Sequence, residues 1–351
     1  MSLKRMVWSG VLAMGISLGL GGCGLKEEPL TAYDAQYLLY FDTFSTLTVY
    51  ADSEEQFEGY KDLTDQELKR YHQLFDIYNS YDGVNNIKTI NDNAGIAPVE
   101  VEQPIIDLLG FCKEMYEETD GKCNVAMGSV LSIWHDYRDE ALKDSARAAV
   151  PGMEELQKAA EHMDISKVVI DEEASTVYLE DPDMRLDVGA VAKGFAAREL
   201  AETLKEAGAA HALISLGGNV ASIGTKGDGT PWRVGIQNPD WTSDARYLHV
   251  ADLEDMSLVT SGDYQRFYEV DGVRYHHIIN PDTLMPWNEY RSVTILCPDS
   301  GRADALSTAV FNMELADGQA LIESLDDTEA LWVLADGTEV ESSGFGEFEE
   351  P

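Results

Sequence analysis

Residues 212–296 read as a series of short strands parted by Gly, Asn and Asp turns, whereas most of the chain before them repeats its apolar residues at helical spacing. This change of period within one chain constrains the fold more than any single motif. The elements neither alternate strictly as strand and helix nor run as an unbroken series of strands. They predict an α+β fold with mixed or antiparallel sheets flanked by helices. After residue 36 there is no repeat of fixed period and no stretch of linker composition, so residues 37–351 are expected to form one large domain.

The aromatic and β-branched run at 37–50 predicts a strand. Between 53 and 78, Phe57, Tyr60, Leu68, Tyr71, Leu74 and Phe75 recur at the spacing of a long helix, and the Asn-, Asp- and Gly-rich stretch 79–95 reads as a polar loop. Further helices are expected over 104–119, 125–137, 153–163, 188–207, 302–313 and 317–325, with hairpins over 167–179 and around Asp336-Gly337.

Lys4 and Arg5 precede an apolar and small-residue stretch, 7–22, that is short for a membrane span of about 20 residues. It ends in Leu20-Gly21-Gly22-Cys23, which looks like a bacterial lipobox. Residues 1–22 are therefore expected to be a lipoprotein signal peptide, Cys23 the lipidated residue, and 23–36 a tether on the extracytoplasmic face of a bacterial membrane. Once Cys23 is lipidated, Cys112, Cys123 and Cys297 remain without a C-x-x-C pair, which suits buried thiols. A Gly15-x-Ser17-x-Gly19 match to the hydrolase nucleophile elbow falls inside the signal segment and lacks the strand-to-helix setting it needs.

With 25 Lys and Arg against 64 Asp and Glu, the net charge is −39. Such a surface repels nucleic-acid backbones and anionic headgroups, so no nucleic-acid partner is expected and membrane contact is left to the anchor. A ligand carrying phosphate would need a metal or a local cation.

Three segments concentrate polar chemistry. In Arg185-Leu-Asp-Val-Gly-Ala-Val-Ala-Lys-Gly194 a strand delivers Asp187 to a glycine-bearing helix start from which Lys193 projects. Leu213-Ile-Ser-Leu-Gly-Gly-Asn219 is a buried strand ending in a tight turn. The third segment runs from Thr260-Ser-Gly-Asp-Tyr264 through Tyr275-His-His-Ile-Ile-Asn-Pro281 to Ala303-Asp-Ala-Leu-Ser-Thr308. A strand over 273–279 would put His276 and His277 on opposite faces, so one of them at most faces a given site. Asp304 and Thr308, four positions apart on a helix, lie about 5–6 Å apart at Cβ, a spacing that can seat one cation.

The ordered set D-x-G-A-x-A-K-G, S-L-G-G-N, S-G-D-Y with H-I-x-x-P, and A-D-A-L-S-T-A resembles the FAD:protein FMN transferases, the ApbE family, from about Asp42 to the C-terminal hairpin. Asp42-Thr-Phe-Ser-Thr and Thr119-Asp-Gly-Lys-Cys-Asn-Val-Ala-Met-Gly128 look like two further family segments, although Cys123-Asn124 replaces a usual Phe-Asp and Thr283-Leu-Met-Pro286 replaces Thr-Gly-x-Pro. The resemblance implies a T-fold-related α+β domain. It also implies Mg²⁺ held by the Ala190 carbonyl, Asp304 and Thr308, with FAD contacted by Asp187, Lys193, His277 and Ile278. An oxygen-only set suits a hard cation.

The reaction implied is attack by a threonine or serine hydroxyl of an acceptor flavoprotein, such as a subunit of a membrane redox complex, on the FMN-side phosphorus of FAD, with AMP leaving. His277 or Asp263 would assist the hydroxyl. Two other readings compete: an FAD pyrophosphatase using the same site, and a non-catalytic lipid-anchored flavin- or solute-binding protein with two lobes, hinge strands and no metal.

Overall fold

The computed structural model describes residues 30–348, so the signal segment and Cys23 lie outside the described residues. The strands in chain order are β1 (Thr31–Tyr37), β2 (Ser45–Ala51), β3 (Val99–Glu100), β4 (Val168–Asp171), β5 (Thr176–Leu179), β6 (Ala212–Leu216), β7 (Asn219–Ile223), β8 (Trp232–Gln237), β9 (Tyr247–Leu253), β10 (Ser257–Gly262), β11 (Phe267–Val270), β12 (Val273–His276), β13 (Tyr290–Cys297), β14 (Glu329–Leu334) and β15 (Glu339–Glu341). The helices are α1 (Glu54–Phe75), α2 (Ile87–Asp92), α3 (Gln103–Glu118), α4 (Gly128–Lys143), α5 (Met153–Ala160), α6 (Ala192–Glu206), α7 (Ser300–Phe311) and α8 (Leu315–Glu323).

An eight-stranded sheet in the order β1-β2-β6-β7-β10-β13-β14-β15 organises the domain, and each neighbouring pair is antiparallel. Its central strands are buried on both faces, and their alternation divides the core in two. Val259, Val293, Ile295 and Trp332 point into the main core, which Phe195, Leu200, Leu306 and Val310 of α6 and α7 complete. Leu258, Leu296 and Leu331 point the other way, to a second cluster with Trp232, Leu253 and Phe345 under the β8–β9 ribbon. A third cluster joins Val130 and Trp134 of α4, Leu156 of α5, and Tyr268 and Leu284. The fold is α+β in one domain, as the change of period predicts.

Helix α1 begins where Ser53 caps it, its side chain accepting from the Gln56 N–H at 3.2 Å, and Glu54 and Glu55 complement the helix dipole. Four expectations need correction. The run 37–50 is two elements: Phe41 and Asp42 adopt φ of 55° and 51°, and the Thr43 N–H bonds the Tyr40 carbonyl, so the chain reverses between β1 and β2. The tether is shorter than 23–36, because β1 pairs with β2 from Thr31 and buries Ala35 and Tyr37. The 79–95 loop contains α2, started by a capping box between Asn86 and Thr89. The helix expected from 188 begins at Ala192, because residues 187–190 form a turn in which the Gly189 N–H donates to Asp187.

Candidate active site

The segment bearing Asp187 is fixed from three directions. The Leu186 N–H donates to Asn91 Oδ1 at 2.7 Å, and Asn91 Nδ2 donates back to the Leu186 carbonyl at 2.9 Å. The Gly128 N–H bonds the Arg185 carbonyl and the Asp187 N–H bonds the Val125 carbonyl. Asp187 is left buried at the wall of a cleft of about 400 Å³.

Across the cleft floor, α6 and α7 meet at Gly194. A Cβ there would lie 2.3 Å from the Ser300 carbonyl oxygen and 2.4 Å from Asp304 Cβ, so only glycine permits this approach. The Gly194 N–H donates to Asp304 Oδ2 at 2.8 Å, and Lys193 Nζ lies 3.7 Å from the same oxygen. In an uninterrupted helix that N–H would go to the Ala190 carbonyl. Among the described residues no hydrogen bond is donated to the Ala190 oxygen, which lines the cleft with Asp304 and Thr308. Burial pushes the Asp304 carboxyl upward against the pull of Lys193 and Gly194, so the group gains from a cation beside it. A free carbonyl, a desolvated carboxylate and a hydroxyl are the donors a magnesium ion takes, and these three residues fit it.

His276 and His277 part as alternation requires, although β12 ends at His276. His276 is buried: its Nε2–H donates to the Trp287 carbonyl at 3.0 Å while Nδ1 accepts from the Ile278 N–H at 3.2 Å, which sets the turn. His277 and Ile278 then line the cleft, and the His277 Nδ1 has no hydrogen-bond partner among the described residues. Burial, with Arg266 next in weight, lowers the His277 imidazole to about 3, so it is neutral at physiological pH.

Asp263 does not join this group. It is buried outside the cleft lining, and its carboxylate receives Arg291 Nε at 3.1 Å and Arg274 at 3.2 Å, which makes it the anchor of two guanidinium groups. The acid–base role expected for it is corrected on that ground.

Several cleft residues carry no spacing signal in the sequence. Asp76 accepts the Tyr78 N–H at 2.6 Å and turns that loop inward, so that the Tyr78 hydroxyl meets His135 Nδ1 at 3.1 Å; His135 Nε2 lies 3.9 Å from Asp187. Lys122, Arg138 and Arg266 also face the cleft. Four Lys and Arg therefore oppose four Asp along this wall, in a chain where acids outnumber bases 64 to 25. The cleft is locally neutral, and that admits a diphosphate. A separate grouping of His162, Asp181 and Asp183 lies elsewhere and holds Lys167 Nζ 2.9 Å from Asp181, so a cation is already present there.

At the two departures from the family pattern, the substitutes have structural work. Asn124 accepts from the Ala126 N–H and donates to the Met163 carbonyl, beside a buried Cys123. Leu284 holds φ of 60°, the left-handed conformation a glycine adopts without strain, and its carbonyl accepts the Trp134 indole N–H.

The ApbE family model matches residues 41–332. A protein of Treponema pallidum named FAD:protein FMN transferase is 37% identical over 71% of this chain and 71% of its own length. One of Klebsiella pneumoniae with the same name is 31% identical over 76% of this chain and 80% of its own. Among solved structures, the ApbE protein of Thermotoga maritima superposes with a TM-score of 0.79 at 28% identity, covering 92% of this chain and all of that one. The flavin transferase ApbE of Vibrio cholerae shares the fold, with a TM-score of 0.74 at 24% identity over 91% of this chain and 100% of its own. With the motifs gathered on one cleft and the match spanning most of the described residues, the chain belongs to the ApbE family.

Proposed function

We propose that the protein transfers the FMN moiety of FAD to a threonine or serine hydroxyl of an acceptor flavoprotein and releases AMP. The relatives' shared name supports flavin transfer from FAD, and the observation that carries the metal-dependent form of the reaction is the Ala190 carbonyl left free where Gly194 turns its N–H to Asp304. Ala190, Asp304 and Thr308 would hold Mg²⁺, which supplies neutralisation of the diphosphate. Lys193 and Arg266 add positive charge on the same wall, and Asp187 with Ile278 contributes to the flavin side.

In the transfer, the acceptor oxygen forms a bond to the FMN-side phosphorus. The bond from that phosphorus to the bridging oxygen breaks, and AMP leaves with the oxygen. His277, which lines the cleft as a neutral imidazole, would accept the hydroxyl hydrogen bond and then the proton as negative charge gathers beside it. Its depressed basicity makes positioning the hydroxyl its first task. The remaining acidic surface does not oppose this chemistry, since exposed charges beyond about 8 Å are screened at physiological salt.

We place the enzyme on the extracytoplasmic face of a bacterial membrane through a lipid on Cys23, a reading supported by the lipobox-like sequence. Fractionation of cells expressing Cys23→Ala checks it; equal membrane association of mutant and wild type counts against an anchor. For the reaction, the protein is incubated with FAD, Mg²⁺ and a candidate acceptor, and all products are weighed. A flavinylated acceptor with one AMP per transfer is expected. FMN and AMP with an unmodified acceptor point to a pyrophosphatase, and unconsumed FAD to a binding protein.

A further inference from the structure

What the Thr308 hydroxyl can offer a cation depends on where its hydrogen points. Inside a helix a threonine hydroxyl ordinarily donates to a carbonyl one turn back. The carbonyl four residues before Thr308 is that of Asp304, and it already receives the Ser307 hydroxyl at 2.9 Å. Among the described residues the one partner of the Thr308 hydroxyl is Ser261, at 3.4 Å, and Ser261 in turn lies 2.8 Å from Ser307. Ser261 is there by register. Val259 on β10 points into the core that α6 and α7 complete, so Ser261, two positions on, presents its hydroxyl to α7 from the same face. Ser307 is fully buried, while Ser261 and Thr308 are half-buried at the cleft wall.

Counting hydrogens gives these contacts a direction. Two oxygens as close as 2.8 or 2.9 Å need a hydrogen between them. The Asp304 carbonyl has none, so Ser307 donates to it. With its single hydrogen used, Ser307 can only accept from Ser261. Ser261 has then used its own, and toward Thr308 it can only accept. The chain of donors therefore runs from Thr308 to Ser261, to Ser307 and to the Asp304 carbonyl. The Thr308 hydrogen is drawn toward the strand, and its lone pairs are left for the cleft it shares with the Ala190 carbonyl. The link at 3.4 Å is the loosest of the three, which leaves Thr308 room to follow a ligand.

We infer that Ser261 is a positioning residue for the metal site: it takes the Thr308 hydrogen and so holds that hydroxyl as a pure acceptor toward the cation, while Ser307 locks Ser261 in the accepting state. The inference rests on the Mg²⁺ site proposed above. A hydroxyl that binds a cation must send its hydrogen away from the ion, and the group that receives it fixes the ligand's orientation and raises its basicity. Without Ser261 the Thr308 hydrogen loses its acceptor and is free to turn toward the cation.

The test reads metal binding without FAD. The full-length protein and its Asp304→Asn, Ser261→Ala, Ser261→Thr and Ser307→Ala variants are titrated with Mn²⁺ in place of Mg²⁺, and free Mn²⁺ is followed by electron paramagnetic resonance. Binding lost in Asp304→Asn belongs to this site, which separates it from ions held loosely by a chain of net charge −39. Loss of a ligand's outer partner typically costs about 10–100-fold in metal affinity, so Ser261→Ala should lose that much at the Asp304-dependent site while its melting temperature without metal is unchanged. Ser261→Thr keeps an acceptor oxygen and should retain the wild-type affinity, a rescue that a packing role would not show. Ser307→Ala acts from behind the cleft wall: it frees the Ser261 hydrogen to meet Thr308, and affinity should fall in the same direction. Unchanged Mn²⁺ affinity in Ser261→Ala overturns the role of Ser261, and unchanged affinity in Ser307→Ala overturns the direction of the chain. A wild type that binds Mn²⁺ no better than Asp304→Asn overturns the metal site and this inference with it; with no FAD present, none of these results decides flavin transfer itself.

Discussion

Adding one methyl group at position 194 sets two opposing effects against each other. Alanine is preferred over glycine inside a helix by about 1 kcal/mol, so propensity alone predicts that Gly194→Ala stabilises α6. The added carbon would lie 2.3 Å from the Ser300 carbonyl oxygen, 2.4 Å from Asp304 Cβ and 3.0 Å from the Ser300 carbonyl carbon. All of these belong to α7, which is packed against the sheet and cannot yield as a flexible side chain would. Overpacking of this kind costs about 1–3 kcal/mol. Separating the helices also stretches the Gly194 N–H bond to the Asp304 carboxylate, and a hydrogen bond to a charged group is worth about 1.5–3 kcal/mol. The net effect is a loss of roughly 2–4 kcal/mol, or about 3–6 °C in melting temperature for a domain of this size. Gly59, in the exposed interior of α1, has nothing within 4 Å of its virtual Cβ, so Gly59→Ala should gain about 1 kcal/mol. Thermal melts of both variants, with calorimetric titration of FAD plus Mg²⁺ into each, read the comparison. A Gly194→Ala protein that melts with or above the wild type and binds FAD and Mg²⁺ unchanged would falsify the account of the α6–α7 approach and of the metal position built on it.

Asp304→Asn keeps the shape but removes the only anionic ligand of the expected metal set, so FAD turnover should lose its response to Mg²⁺ while the melting temperature stays within a few degrees; retained Mg²⁺-dependent turnover moves the metal elsewhere. His277→Ala should lower the chemical rate about 10²–10⁴-fold with a much smaller change in FAD affinity, checked by single-turnover kinetics. The same histidine predicts a pH effect: native His277 titrates near 3 and the unfolded residue at 6.5, so between these values the unfolded state binds more protons and stability falls as pH is lowered. Denaturant titrations from pH 7 to 4 should show a shallower decline in His277→Ala than in the wild type; parallel curves contradict a buried neutral imidazole. Asp263→Asn, by releasing Arg291 and Arg274, should lower the melting temperature yet keep kcat within a few-fold; a hundredfold loss of kcat at unchanged stability restores a catalytic role for that carboxylate.

How much was legible in the sequence depended on the range of the interaction. Apolar periodicity located α1, α3 and the hairpin β4–β5 because each buries a regular face. The pairing of Asp304 with Thr308 and the separation of His276 from His277 followed from local geometry alone. The reversal at Phe41-Asp42 carries no Gly or Pro signal, since two non-glycine residues take the left-handed conformation. Helix α2 was hidden because Asn86 and Thr89, which cap it, are the residue types that also make loops. Asp263 looked available to a substrate until tertiary contact brought Arg274 and Arg291 onto it. Tyr78 and His135, 57 residues apart, meet only through the fold.

The clamp on Leu186 and Asp187 has a kinetic meaning. Their amide hydrogens are held by Asn91, 95 residues earlier, and by Val125, so neither can be freed by fraying of a local element. In native-state hydrogen exchange both amides should open only with the whole domain, while the exposed Leu38-Leu39 turn exchanges at once. The cleft wall thus forms late, when strands and loops from distant parts of the chain have already met. A partly folded chain would have no assembled pocket for the flavin until nearly all of the domain had folded.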